Sequence, residues 1–191
     1  MFPTAAPMIL TFTSIYQSKR KQNQAFVPTW IFVGAYLTVW SAAGVLAYAL
    51  AAELENLGRQ SEWLMANAAH LGGGLLIVAG VYQFLPIKNI CLSKCRTPMS
   101  FVLSSWRDGY AGALRMGIEH GTYCLGCCWL LFLILFPLGV MNVAAMAIIT
   151  TVIFLEKSTS VGLRIAHAAG FGLVVYGLLV QFLPDLLPTA M

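Results

Sequence analysis

The run His120 to Trp129, His-Gly-Thr-Tyr-Cys-Leu-Gly-Cys-Cys-Trp, gathers an imidazole and three thiols into one short apolar segment. On a helix that turns about 100° per residue, His120, Cys124 and Cys127 fall within about 60° of arc, Met116 extends the stripe one turn earlier, and Cys128 sits on its flank. Imidazole, thiol and thioether are soft donors. They suit copper(I), with zinc a competitor for the cysteine and histidine subset. A lone cysteine in such a segment is usually a small packing residue; three within five positions, following a histidine at helical spacing, point instead to a metal.

Cys91 and Cys95, four apart in a preceding basic stretch, share a face if that stretch forms a helical turn. They could complete a coordination sphere or receive the ion from a cytosolic metal donor, because thiol-to-thiol handover needs sulfur at the entrance. His167 is the expected extra ligand, at a depth in its own apolar run comparable with Cys124. Met141, Asn142 and Met146 offer a path of soft and polar groups away from the thiols, although methionine more often fills helix interfaces as an adaptable apolar residue. His70 lies toward the opposite end of its run.

The elements that must position these residues are helices in a bilayer. Of 191 residues, 59% are hydrophobic and 9% charged, where a soluble domain carries about a quarter charged. The expected fold is all-α, a polytopic transmembrane helix bundle forming one domain over residues 1–191, with five full spans near residues 30–52, 64–85, 118–136, 140–155 and 162–183. Each approaches the roughly 20 residues that cross a hydrocarbon core. A short apolar helix over residues 5–17 is a candidate sixth.

Five cysteines, an odd number confined to the middle of the chain, argue against a disulfide framework. The net charge of +4 sits between the apolar runs and does not call for nucleic acid. Connections alternate: Lys19-Arg20-Lys21, then Glu53, Glu55, Arg59 and Glu62, then Lys88, Lys94, Arg96 and Arg107. By the positive-inside rule the Cys91 stretch is cytoplasmic. Glu156 and Lys157, closing the fourth span, are expected to snorkel to the interface. Gly117 and Gly121 form a close-packing pair. A faint echo links residues 72–86 to 170–184, which share Gln-Phe-Leu-Pro and two glycine positions, and the two helices should run in opposite directions, as in transporters with inverted repeats.

Several motifs together resemble a known family: Thr4-Ala5-Ala6-Pro7-Met8, Tyr82-Gln83-Phe84-Leu85-Pro86 with Lys88, the Cys91-Leu92-Ser93-Lys94-Cys95-Arg96-Thr97-Pro98 stretch, Trp106-Arg107-Asp108-Gly109, the His120–Trp129 run, Gly139-Val140-Met141-Asn142 and Glu156-Lys157. The chain resembles the bacterial family described as predicted metal-binding integral membrane proteins. The resemblance implies a multi-pass protein of the bacterial inner membrane that binds a metal. Members of that family carry a longer first helix ahead of the Pro-Met stretch, which bears on whether five or six spans are expected here.

The expectation is a membrane protein that handles a soft metal, most simply copper(I), with no reaction chemistry required. The rival is a membrane thiol-disulfide oxidoreductase using Cys127 with Cys128, or Cys124 with Cys127, and the Cys91/Cys95 pair for exchange. Cytoplasmic thiols in a reducing compartment speak against it. A haem held by His70 and His167 is disfavoured by their opposite depths, and no nucleotide-binding loop is present to drive a pump.

Overall fold

Apolar runs punctuated by proline, glycine and short polar links fold as helices, and the computed structural model describes residues 2–21, 29–105, 109–140 and 142–187 of the chain. Every regular element among the described residues is helical: α1 (Phe2–Lys21), α2 (Thr29–Gln60), α3 (Glu62–Ala66), α4 (Ala68–Tyr82), α5 (Pro86–Arg96), α6 (Pro98–Ser105), α7 (Gly109–Leu133), α8 (Leu135–Leu138), α9 (Val143–Ser158) and α10 (Gly162–Phe182), closed by a 3₁₀ turn at Pro184–Leu186.

Among the described residues three stretches are long and apolar enough to cross a membrane, Thr29–Gln60, Gly109–Leu138 and Gly162–Phe182; a fourth is reached if α4 and α5, bent by 65°, count as one broken span. The all-helical expectation holds among the described residues, and five full spans are not shown. The second expected span breaks at both ends. Asn67, the C-cap of α3, interrupts it near its start, and α4 stops at Tyr82 because Pro86, which has no amide hydrogen, opens a new helix instead of extending the old one. The fourth expected span begins late. Gly139 takes φ 91°, and Asn142 then caps α9 by accepting from the Ala145 amide at 3.1 Å, leaving a helix of 16 residues, roughly 24 Å long. The basic stretch holding Cys91 and Cys95, expected as a connection with a helical turn, is helical through α5 and again through α6.

The chain divides into two compact units, Met1–Val45 with Asn89–Cys127, and Leu46–Lys88 with Cys128–Met191. In the first, Met8 and Phe12 of α1, Phe32 of α2, Phe101 and Val102 of α6, and Ala113 and Met116 of α7 form the core, with Phe12 stacked on Phe32 at 4.6 Å. Gly117 lies so close to the Phe32 carbonyl that a side chain would collide with it, and a Cβ on Gly121 would stand 3.0 Å from Val39. Phe32 with Gly117 and Val39 with Gly121 make α2 and α7 parallel, and the close-packing glycines expected from sequence are at that contact.

The second unit is built on α4 against α10. A Cβ on Gly80 would stand 2.7 Å from the Gly170 carbonyl oxygen, and one on Gly177 would stand 2.8 Å from the Gly73 carbonyl oxygen. Residue numbers rise on one helix as they fall on the other, so the pair is antiparallel. The two segments linked by the sequence echo are therefore packing partners. Substitution tests this directly. Gly80→Ala is expected to lose about 1–3 kcal/mol through overpacking, whereas Gly74→Ala, with nothing within 4 Å of its Cβ, leaves thermal stability in detergent unchanged or slightly raised.

Candidate metal centre

The stripe foreseen on α7 lies inside the helix and is enclosed in the first unit, because α7 starts at Gly109, well before the expected span. Met116 is fully buried among Phe12, Phe32 and Phe101, which is the setting of a packing methionine. His120 is also buried, ringed by Phe101 at 5.4 Å, Tyr36 at 5.7 Å and Phe32 at 6.1 Å. One turn on, Cys124 Sγ meets the Tyr36 hydroxyl at 3.3 Å. Cys127 follows, its thiol donating back to the Cys124 carbonyl at 3.1 Å.

Helix α5 supplies the other sulfurs. Cys95 Sγ stands 4.0 Å from Cys127 Sγ, and Cys95 also packs against the Tyr36 and Cys124 cluster. A turn earlier on α5, Cys91 fills the space left by Gly126: a Cβ there would be 3.1 Å from its Sγ. The two cysteines of α5 thus face the Gly126-Cys127 corner of α7. Both are half-buried, while Cys124 and Cys127 are buried, and none of the four is in a disulfide.

The spacing of Cys95 and Cys127 has a chemical meaning. With metal–sulfur bonds of about 2.3 Å, two sulfurs 4.0 Å apart subtend about 120° at the ion, between the tetrahedral value of a closed zinc site and a linear dithiolate. Among the described residues no group of three or more histidine, cysteine or acidic side chains stands ready to hold a metal. The arrangement is a pair of sulfurs with two further thiols at its margin, which suits an ion taken up and passed on more than one locked in a rigid cage.

The remaining expected residues fall in the second unit. Cys128 is buried with the Lys157 ammonium 3.9 Å from its sulfur. His167 stacks on Phe84 at 5.2 Å. Asn142 serves as the cap of α9 and also donates to the Leu138 carbonyl at 3.2 Å, so its amide is engaged in shaping the helix start. Met146 is exposed on α9. Met141 lies outside the described residues.

Glu156 and Lys157 do not snorkel. Glu156 is 1% exposed and Lys157 8%, and Glu156 accepts from Lys88 at 2.8 Å with both side chains out of contact with solvent. Sequence reasoning had placed Lys88 among solvated basic residues; only the packing of the first turn of α5 against α9 withdraws it. Tyr36 was missed as well, since an aromatic in an apolar run carries no mark of its partner.

This is an all-helical protein with thiols from two separate motifs brought face to face. The model of the PpoB2 copper chaperone family matches residues 1–180, and the chain belongs to that family. Copper handling is accordingly its class of function, and copper is the metal that the family's description names. No curated protein and no solved structure matches the chain.

The buried ion pair yields a stability prediction. Removing one partner leaves the other charged and buried, so Lys88→Met alone should lose about 3–5 kcal/mol, while Lys88→Met with Glu156→Leu, which removes both charges, should recover most of that loss. Thermal unfolding of the purified variants measures both.

Proposed function

We propose that the protein is a multi-pass copper chaperone of the bacterial inner membrane that takes up copper(I) between α5 and α7 and passes it on. The observation that carries the reading is the 4.0 Å approach of Cys95 to Cys127, from two motifs 32 positions apart. Copper is the cargo. It arrives on the thiolates of a cytosolic donor, and each incoming cysteine releases its proton as it bonds to the ion and a donor thiolate leaves. Cys91, at the margin beside Gly126, is the entry sulfur, Cys95 and Cys127 hold the ion, and Cys124 is drawn in as a third donor when the Tyr36 contact loosens.

The burial of Cys127 supports retention against solvent, and the partial exposure of Cys91 and Cys95 supports exchange. The basic residues flanking the α5 cysteines, Lys94 and Arg96, support a cytoplasmic position. Onward passage to the far face by way of Met146 and Met141, and recruitment of His120 or His167 during transit, belong to the same proposal.

The Cys95 and Cys127 thiols also support a second reading, a thiol-disulfide oxidoreductase, in which a small closure and exchange with a partner disulfide, itself reduced to two thiols, would join them. Metal content separates the two. Purified under reducing conditions and supplied with copper(I), the wild type should retain about one ion per chain, and Cys95→Ser with Cys127→Ser should retain almost none. Equal, negligible copper in both, with a Cys95–Cys127 disulfide after mild oxidation, would favour the redox reading. Orientation is tested with a membrane-impermeant maleimide. Intact spheroplasts should leave Cys91 and Cys95 unlabelled and permeabilised ones should label them; labelling from outside would reverse the topology.

A further inference from the structure

The α4 and α10 pair holds more than an echo of composition. His70 is followed by Gly73, Gly80 and Gln83-Phe84-Leu85-Pro86; His167 is followed, at the same first two spacings, by Gly170, Gly177 and then Gln181-Phe182-Leu183-Pro184. The helices lie antiparallel, so the two copies of this pattern meet head to tail, and each histidine end faces the glutamine end of the other. Gly73 lies under Gln181, whose Nε2 would be 2.9 Å from a Cβ there, and Gly170 lies under Gln83, whose Cβ would be 2.6 Å away.

The two ends share the histidine and glycine spacings, differ by one position at the glutamine, and differ in bonding. At one, Gln181 Nε2 donates to the His70 carbonyl at 2.9 Å, which turns Oε1 toward the ring, where His70 Nδ1 stands at 3.1 Å. The amide oxygen can only accept, so Nδ1 carries the hydrogen and donates. At the other end, Gln83 is 1% exposed and its Oε1 is buried with no hydrogen-bond partner among the described residues, while His167 stacks on Phe84. A buried acceptor without a donor is costly, and the first copy of the pattern indicates which donor belongs there.

We infer that His70–Gln181 and His167–Gln83 are two interchangeable latches of an inverted repeat, one made and the other open in this conformation, exchanged when α4 rocks against α10. The glycines at 73, 80, 170 and 177 let the two backbones approach closely, so that a movement of α4 on α10 has to displace only the few side chains seated over them, Gln181, Val174, Gln83 and Ile77 among them. In the exchanged state His167 leaves Phe84 and donates to Gln83 Oε1, and His70 is released. The device requires no copper and stands apart from the thiol site. It gives the second unit two states that favour opposite ends of the helix pair, which is the behaviour of inverted-repeat carriers.

Carbethoxylation of histidine, read residue by residue by mass spectrometry on the full chain in nanodiscs without metal, tests it. Gln181→Ala should raise the modification rate of His70 and lower that of His167; Gln83→Ala should do the reverse. Each change should be about two- to tenfold, the population shift that loss of one hydrogen bond produces. His120, buried in the first unit, serves as the folding reference. If its rate rises in the alanine variants, Gln181→Asn and Gln83→Asn, which shorten the reach while keeping the amide, are read the same way. Opposed changes at the two histidines support the exchange. A change confined to the histidine next to the substitution, with the distant one unaltered, would overturn it.

Discussion

With no side chain at Gly117, the backbone of α2 can lie directly on α7, and the arrangement of the first unit depends on that contact. It fixes the register in which Phe32 and Tyr36 meet His120 and Tyr36 meets Cys124. Beyond His120, enclosed by three aromatic rings, the thiol-bearing turns of α7 face α5. Cys95 then meets Cys127, and Cys91 settles over Gly126. A bulkier residue at either glycine would rotate or lift α2, and the sulfur geometry would change with it although no sulfur had been touched.

The second unit answers to electrostatics as much as to packing. Two lysines and a glutamate are withdrawn from solvent around the end of α9, a costly arrangement unless the charges are matched. Lys88 and Glu156 match each other, and Lys157 lies against the Cys128 sulfur. Lys88, in the first turn of α5, is held to α9 by this directional contact, where apolar packing alone would tolerate sliding.

The grouping of side chains on shared helix faces was legible from residue types and spacing. The α7 stripe emerged from helical periodicity alone, and the pairing of Cys91 with Cys95 followed from their four-residue interval. The antiparallel partnership of α4 and α10 was foreshadowed by a shared Gln-Phe-Leu-Pro. Long-range register was not legible: nothing local says that Cys95 should meet Cys127, or that Tyr36 should reach Cys124. The charged residues misled for the same reason. Glu156 and Lys157 at the end of an apolar run read as snorkelling groups unless Lys88, 68 positions away, is known to reach them. Span boundaries failed where hydropathy continued through residues that end helices, at Asn67 and at Gly139 with Asn142. Met116, read as a possible ligand by its place on the stripe, lies in a packed core, an outcome that periodicity cannot distinguish from ligation.

The claim that α5 and α7 together form the cargo site is tested most directly by X-ray absorption at the copper edge on the reduced, copper-loaded protein. The account predicts a copper(I) edge and a shell of two to three sulfurs, losing sulfur when either Cys95 or Cys127 is replaced by serine. A shell made only of nitrogen and oxygen, or a sulfur shell unchanged by both substitutions, would contradict it.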